Sequence, residues 1–270
     1  MPLHHQGFLR VAAGSPRVSV ANPARNLQAI LELLTQAEAE SVALIVFPEL
    51  CLTGYTCGDL FQQQPLQTAA YDALRKLIAF TREQFTGIAI VGLPWAVAGS
   101  LFNMAAVVHR GNLLALVPKS YLPNYKEFYE HRWFAPASKM TETEITFDGH
   151  HIPTGTDLLF SATDVSHFTF GIEICEDLWM PIPPSSLQAL QGATVLINLS
   201  ASTEVIGKVS YRRNLVAQQS GRCQAGYVYA ASGVTESTTD VIFSGHNLIA
   251  EAGAILAESQ RFQRKSQLIV

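Results

Sequence analysis

Seven apolar runs of strand length constrain this chain more than any other feature. In "SVALIVFPEL" a continuous apolar stretch from Val42 to Phe47 stops at Pro48, as a strand buried on both faces stops at a loop. The same reading applies to "GIAIVGLPW", "LFNMAAVVH", "LLALVPK", "FTFGIEIC", "TVLINLS" and "GYVYAAS". Helical patterns lie between several of them. Asn22 and Pro23 read as an N-cap and first helical residue, followed by Leu27, Ile30, Leu31 and Leu34 on one face. A second helix is predicted from Pro65, with Ala70, Leu74, Leu77 and Ile78 inward. Ser185 or Ser186 could cap a third, and "KVSYRRNLVAQQSG" could form a fourth ending near Gly221. Strands and helices in this order predict an α/β layered domain.

At 270 residues and 48% hydrophobic composition the chain can bury a large core as one domain. No short repeat, linker or low-complexity segment interrupts it. The terminal "QLIV" reads as the start of a further buried strand, and so as the mark of a domain truncated from something longer. An interface cut open in this way predicts self-association into a homo-oligomer. Lys and Arg number 18 against 22 Asp and Glu, a net charge of -4. With no basic block, nucleic acid is not an expected partner. No apolar run approaches the about 18 residues of a membrane span, and "MPLHHQGFLR" lacks the apolar centre of a signal peptide, so the chain reads as cytoplasmic. The cysteines at 51, 57, 175 and 223 form no CxxC pair, and the histidines show no metal-ligand spacing; His150 and His151 read as a solvated polar loop.

Three reactive side chains fall just after strand-like runs: Glu49 after 42–47, Lys119 after 113–117 and Cys175 after 168–174. Ligands of layered α/β folds bind at the carboxyl ends of strands, where these three could meet. A carboxylate can take a thiol proton, and an ammonium favours thiolate and stabilises an oxyanion. Each also has a plain reading: Cys175 as a small buried hydrophobe, Lys119 as a solvated lysine, Glu49 as a loop acid. In "GIEICEDLW" two acids follow the thiol directly, which should raise its pKa, so either Cys175 is inert or its proton is managed from elsewhere. No GxSxG elbow, P-loop or GxGxxG competes.

"FPELCLTGY", "VPKSYLPNYKEFYEHRWF", "GIEICEDLW" and "INLSAS", in this order, resemble the carbon-nitrogen hydrolases of the nitrilase superfamily. Among these they are most similar to the amino-terminal glutaminase domains of glutamine-dependent NAD synthetases. The resemblance runs from about Phe8 to the end. It implies a four-layer αββα sandwich with Glu49 as general base and acid, Lys119 as electrostatic stabiliser and Cys175 as nucleophile. It makes Glu130 the second glutamate that orients the lysine, places Tyr55, Tyr125, Glu176 and Ser202 in the substrate pocket, and puts Lys208 where a basic residue is expected. Thr203 and Glu204 stand where the family pattern has a small or proline-containing pair. The implied reaction is hydrolysis of the L-glutamine side-chain amide through a cysteine thioester, with no metal or cofactor. ATP, magnesium and nicotinic acid adenine dinucleotide are implied only for a fused synthetase domain, whose SGGxDS signature does not occur here. The alternatives are a free-standing amidase or N-carbamoyl hydrolase, and a catalytically silent channel or interaction module.

Overall fold

The computed structural model describes residues 7–270. Fourteen strands are described: β1 (Val11–Ser15), β2 (Leu44–Val46), β3 (Ile88–Val97), β4 (Ser100–His109), β5 (Asn112–Pro118), β6 (Glu144–Phe147), β7 (His150–Pro153), β8 (Leu159–Ser161), β9 (Thr169–Ile174), β10 (Val195–Ser200), β11 (Gly226–Ala231), β12 (Leu248–Glu251), β13 (Ala254–Glu258) and β14 (Gln267–Ile269). The α-helices are α1 (Pro23–Ala39), α2 (Gln64–Glu83), α3 (Pro184–Leu190) and α4 (Lys208–Cys223). Two six-stranded sheets have the orders β14-β1-β2-β3-β4-β5 and β13-β12-β11-β10-β9-β8, and β6 and β7 form a separate hairpin.

The side-chain period of two assigns each strand to two cores. Leu44 and Val46 point between the sheets, where they meet Ile172, Ile174, Ile197, Leu199 and Val228. Ile45 points the other way, against Leu27, Ile30 and Leu34 of α1 and Leu74 and Leu77 of α2. On the second sheet Leu196, Tyr227 and Tyr229 face outward to Val216 of α4. The result is the αββα sandwich. Its central strands carry apolar residues on both faces, which is why they read as continuous runs rather than alternating ones.

The parallel strands β1, β2 and β3 and the parallel strands β9, β10 and β11 form the centres of the two sheets. β5 is antiparallel to β4 and β4 to β3, so β5 runs in the direction of β2 and β3. The carboxyl ends of β2 and β5 are therefore on the same side of the first sheet. Gly92 makes the first of these turns possible: a Cβ there would lie 2.2 Å from Leu50 N and 2.9 Å from the Glu49 carbonyl carbon. Only glycine lets the Glu49 turn cross β3 this closely.

Asn22 caps α1 through Arg25 N, as the sequence indicates. α3 differs from expectation. It starts at Pro184 behind Pro183, without a side-chain cap, because proline supplies the first-turn φ and needs no acceptor. Ser185 is then free to give its N–H to the Glu173 carboxylate, at 2.9 Å. His150 and His151 open β7 and are not a loop, though both are exposed. The terminal apolar run is a paired edge strand: Ile269 lies opposite Ala13 of β1. No helix among the described residues is long and apolar enough to cross a membrane.

Candidate active site

Glu49, Lys119 and Glu130 form a buried ion cluster. Lys119 Nζ donates to Glu49 Oε1 at 2.6 Å and to both Glu130 oxygens at 2.8 and 2.9 Å. All three side chains are essentially inaccessible. An unpaired ion would be prohibitive here, and a buried cluster persists only when the remaining lone pairs are also met. They are: Glu49 accepts from Asn103 Nδ2 at 2.6 Å and from Ala201 N at 3.0 Å, and Glu130 accepts from the Tyr55 hydroxyl at 2.7 Å. Burial and the charge of Glu49 push the Glu130 carboxyl up to about 7, against the pull of Lys119 and Tyr55.

Cys175 follows β9 directly and opens a short 3-10 turn, Cys175–Trp179. Its φ is +47°, in the left-handed region that a residue with a Cβ rarely adopts. Its N–H is held by Asn198 Oδ1 at 3.2 Å. The first N–H groups of a helical turn have no acceptor within it; with that of Cys175 taken, the next along is that of Glu176. Burial and then Glu49 raise the Cys175 thiol well above its ordinary value, while Lys119 and the Ser200 hydroxyl pull it down. The balance favours the thiol form, and the carboxylate that most opposes its ionisation is Glu49. The acids next to it in sequence are directed elsewhere. Glu176 accepts from the Tyr125 hydroxyl at 2.9 Å, and Asp177 accepts backbone N–H groups.

Tyr55 lines a cavity of about 170 Å³ with Glu127, Phe128 and Trp133, but its hydroxyl is committed to Glu130. Ser202 is buried, and its hydroxyl has no hydrogen-bond partner among the described residues, an expense that a substrate polar group would remove. Tyr125 is half exposed beside Glu176. Lys208 donates to Thr203 Oγ1 at 3.3 Å and lies 5.1 Å from the Trp179 ring centroid. It is the first residue of α4, where the helix dipole disfavours a cation, and its contacts are with Thr203 and Trp179 instead. Burial lowers its pKa.

Sequence reasoning missed several supports. Glu204 is the counter-ion of the buried Arg212, at 2.6 Å, and Arg212 also holds the Thr203 carbonyl at 3.2 Å. Arg212 donates to His246 Nδ1, which leaves the ring proton on Nε2, facing Glu258 Oε1 at 2.7 Å. Glu236 receives Tyr55 N at 2.7 Å and the Thr56 hydroxyl at 2.8 Å. The neighbouring residues are themselves polar, as in "VSYRRNL" around Arg212 and "GVTESTTD" around Glu236, so nothing in the sequence marks these groups as buried. Among the described residues, no group of three His, Cys, Asp or Glu could hold a metal, and all four cysteines are free.

A sequence profile of the carbon-nitrogen hydrolase family matches residues 10–269. The chain belongs to this family. Among curated carbon-nitrogen hydrolase relatives, the glutamine-dependent NAD(+) synthetase of Mycobacterium bovis is 44% identical over 97% of the chain, and that of Aquifex aeolicus 29% identical over 95%. The chain spans 38% and 41% of those proteins. A solved glutamine-dependent NAD(+) synthetase from Cytophaga hutchinsonii superposes with a TM-score of 0.86 at 28% identity, covering 97% of the chain and 42% of the synthetase. An amidase from Nesterenkonia sp. superposes at 0.76 with 18% identity, over 97% of the chain and 89% of the amidase; at that identity the likeness is one of fold. This carbon-nitrogen hydrolase thus has the nitrilase-type sandwich, and its sequence relatives are longer NAD synthetases.

Proposed function

We propose that the chain is a glutaminase that releases ammonia from the side-chain amide of L-glutamine. The observation that carries this is the closed Glu49–Lys119–Glu130 cluster beside a buried thiol on a left-handed elbow. Glu49 takes the Cys175 proton as sulfur attacks the amide carbonyl. Charge developing on the oxygen meets the Lys119 ammonium and the Glu176 N–H, and losing one such donor typically costs about 100-fold or more. Glu49 returns the proton to the departing nitrogen, which leaves as ammonia. Water, deprotonated by the same carboxylate, then cleaves the γ-glutamyl thioester; glutamate departs and the thiol regains its proton. Ser202, Tyr125, Glu176 and Lys208 hold the amino-acid end, which does not react. The relatives' names support a fused synthetase as the recipient of the ammonia. In this reading ATP, magnesium and nicotinic acid adenine dinucleotide act there, and the chain itself uses no cofactor.

The test is ammonia release by wild type and Cys175→Ala, with glutamine, simple ω-amides and N-carbamoyl amino acids as substrates. Preference for glutamine, lost in Cys175→Ala, is expected. Equal or better turnover of the other amides would move the assignment to a free-standing amidase.

A further inference from the structure

Lys119 and Cys175 leave different sheets, the first at the end of β5 and the second at the end of β9. Something must set the distance between them. Asp177 is 1% exposed, and its carboxylate gathers N–H groups from both sides. Oδ2 accepts from Ile174 N at 2.9 Å, on the residue before Cys175. Oδ1 accepts from Tyr121 N at 2.8 Å, and Oδ2 from Ser120 N at 3.4 Å, on the two residues after Lys119. Residues 120–124 form no helix or strand, and no hydrogen bond from another residue would fix the Ser120 and Tyr121 amides in their place.

Lys119 is held by its own backbone bonds to Asn103 O and from Ala137 N, both 2.9 Å. We propose that Asp177 is a positioning residue: its carboxylate clips the strand end bearing Cys175 to the loop that follows Lys119, and so sets the sulfur-to-ammonium geometry for attack. The inference rests on Cys175 and Lys119 being the reacting pair. The carboxylate touches neither reacting group, and the clip works because both oxygens are acceptors. Burial, with the charge of Glu173, pushes the Asp177 carboxyl up to about 8 against the pull of the Ile174 and Tyr121 N–H groups; the geometry argues the other way, since backbone donors meet both oxygens and no acceptor among these contacts would take an acid proton, so the contacts fit the anion. Asparagine keeps the shape but turns one oxygen into a donor aimed at an N–H.

The experiment compares Asp177→Asn with wild type and with Ser220→Ala, which removes a buried hydroxyl bond to Ala225 O (2.7 Å) in α4, remote from these contacts. Positional errors of about 1 Å can cost about 100-fold, so kcat for glutamine should fall by about 30- to 100-fold in Asp177→Asn with KM within about threefold. Alkylation of Cys175 by iodoacetamide should also slow, a readout independent of glutamine. Ser220→Ala should lower Tm and leave kcat and alkylation unchanged. A kcat and alkylation rate within twofold of wild type in Asp177→Asn would overturn the inference. If wild type hydrolyses no glutamine, the glutaminase reading fails and alkylation alone decides the clip. If Asp177→Asn does not fold, amide exchange on wild type decides it: the Tyr121 amide should exchange at least about 100-fold more slowly than an unstructured amide, the protection a persistent buried hydrogen bond confers. Free exchange there would overturn the clip.

Discussion

Replacing Lys119 with methionine removes one charge from a buried cluster of three while nearly preserving volume. In the wild type the ammonium sits 2.6 Å from Glu49 and 2.8 Å from Glu130, with all three side chains closed to solvent. Without it Glu49 retains only Asn103 and Ala201 as donors, and Glu130 only Tyr55. Breaking a buried pair from one side costs about 3–5 kcal/mol. At an m-value of about 3 kcal/mol/M this moves the urea midpoint down by about 1–1.7 M. The pH dependence follows from the sign of the shifts. The Glu130 carboxyl already lies above its unfolded value, at about 7, so its contribution to stability is present below the unfolded pKa and is lost as pH rises towards 7. Lys119 is the chief force holding it down; without it the pKa rises further, and each further unit costs about 1.4 kcal/mol at alkaline pH. Urea unfolding should therefore show a deficit for Lys119→Met that is largest at pH 8 and shrinks at pH 5. Adding Glu130→Gln should recover about half of it, since one orphaned carboxylate is removed. A deficit below about 1 kcal/mol at pH 8, or one that grows on acidification, would refute the reasoning.

Three further outcomes are expected. Cys175→Ala should abolish ammonia release from glutamine, while Cys51→Ala, Cys57→Ala and Cys223→Ala retain it; comparable residual activity in Cys175→Ala would remove it as nucleophile. Ser202→Ala should reduce turnover of glutamine far more than that of a simple amide lacking the α-substituents, and equal losses would assign Ser202 to structure. Tyr55→Phe removes the hydroxyl that donates to Glu130. It should destabilise the fold by about 1–2 kcal/mol and lower kcat with little change in KM; a pure KM effect would place Tyr55 against substrate instead.

Much of this candidate site is legible in the sequence because the three side chains proposed to react follow apolar runs whose ends the chain marks clearly. Pro48 stops the run before Glu49, and Lys119 and Cys175 each come directly after a strand. The helix starts were partly legible: Asn22 caps α1 as its residue type suggests, whereas Ser185 yields to Pro183 and Pro184. Short strands such as β1 and β8 were not, since their few residues carry no period, and β12 and β13 mix apolar and charged positions. The supports were illegible for a different reason. Asp177, Asn198, Asn103 and Glu236 act through partners 3 to 181 residues away, and spacing along the chain says nothing about contacts made by layering two sheets. The two acids after Cys175 show the limit best. Sequence proximity suggests that they oppose the thiolate, but in the fold one faces Tyr125 and the other the backbone, and the opposing charge comes from Glu49, 126 positions earlier.

The central claim, that Cys175 is a nucleophile addressed by glutamine, is tested most directly by exposing the protein to a glutamine-mimicking diazoketone and mapping the adduct by intact and peptide mass spectrometry. The account predicts one adduct per chain, on the peptide containing Cys175, formed at a rate that glutamine suppresses and Glu49→Gln reduces. Labelling that falls on Cys51, Cys57 or Cys223, or that proceeds on Cys175 regardless of glutamine, would contradict it.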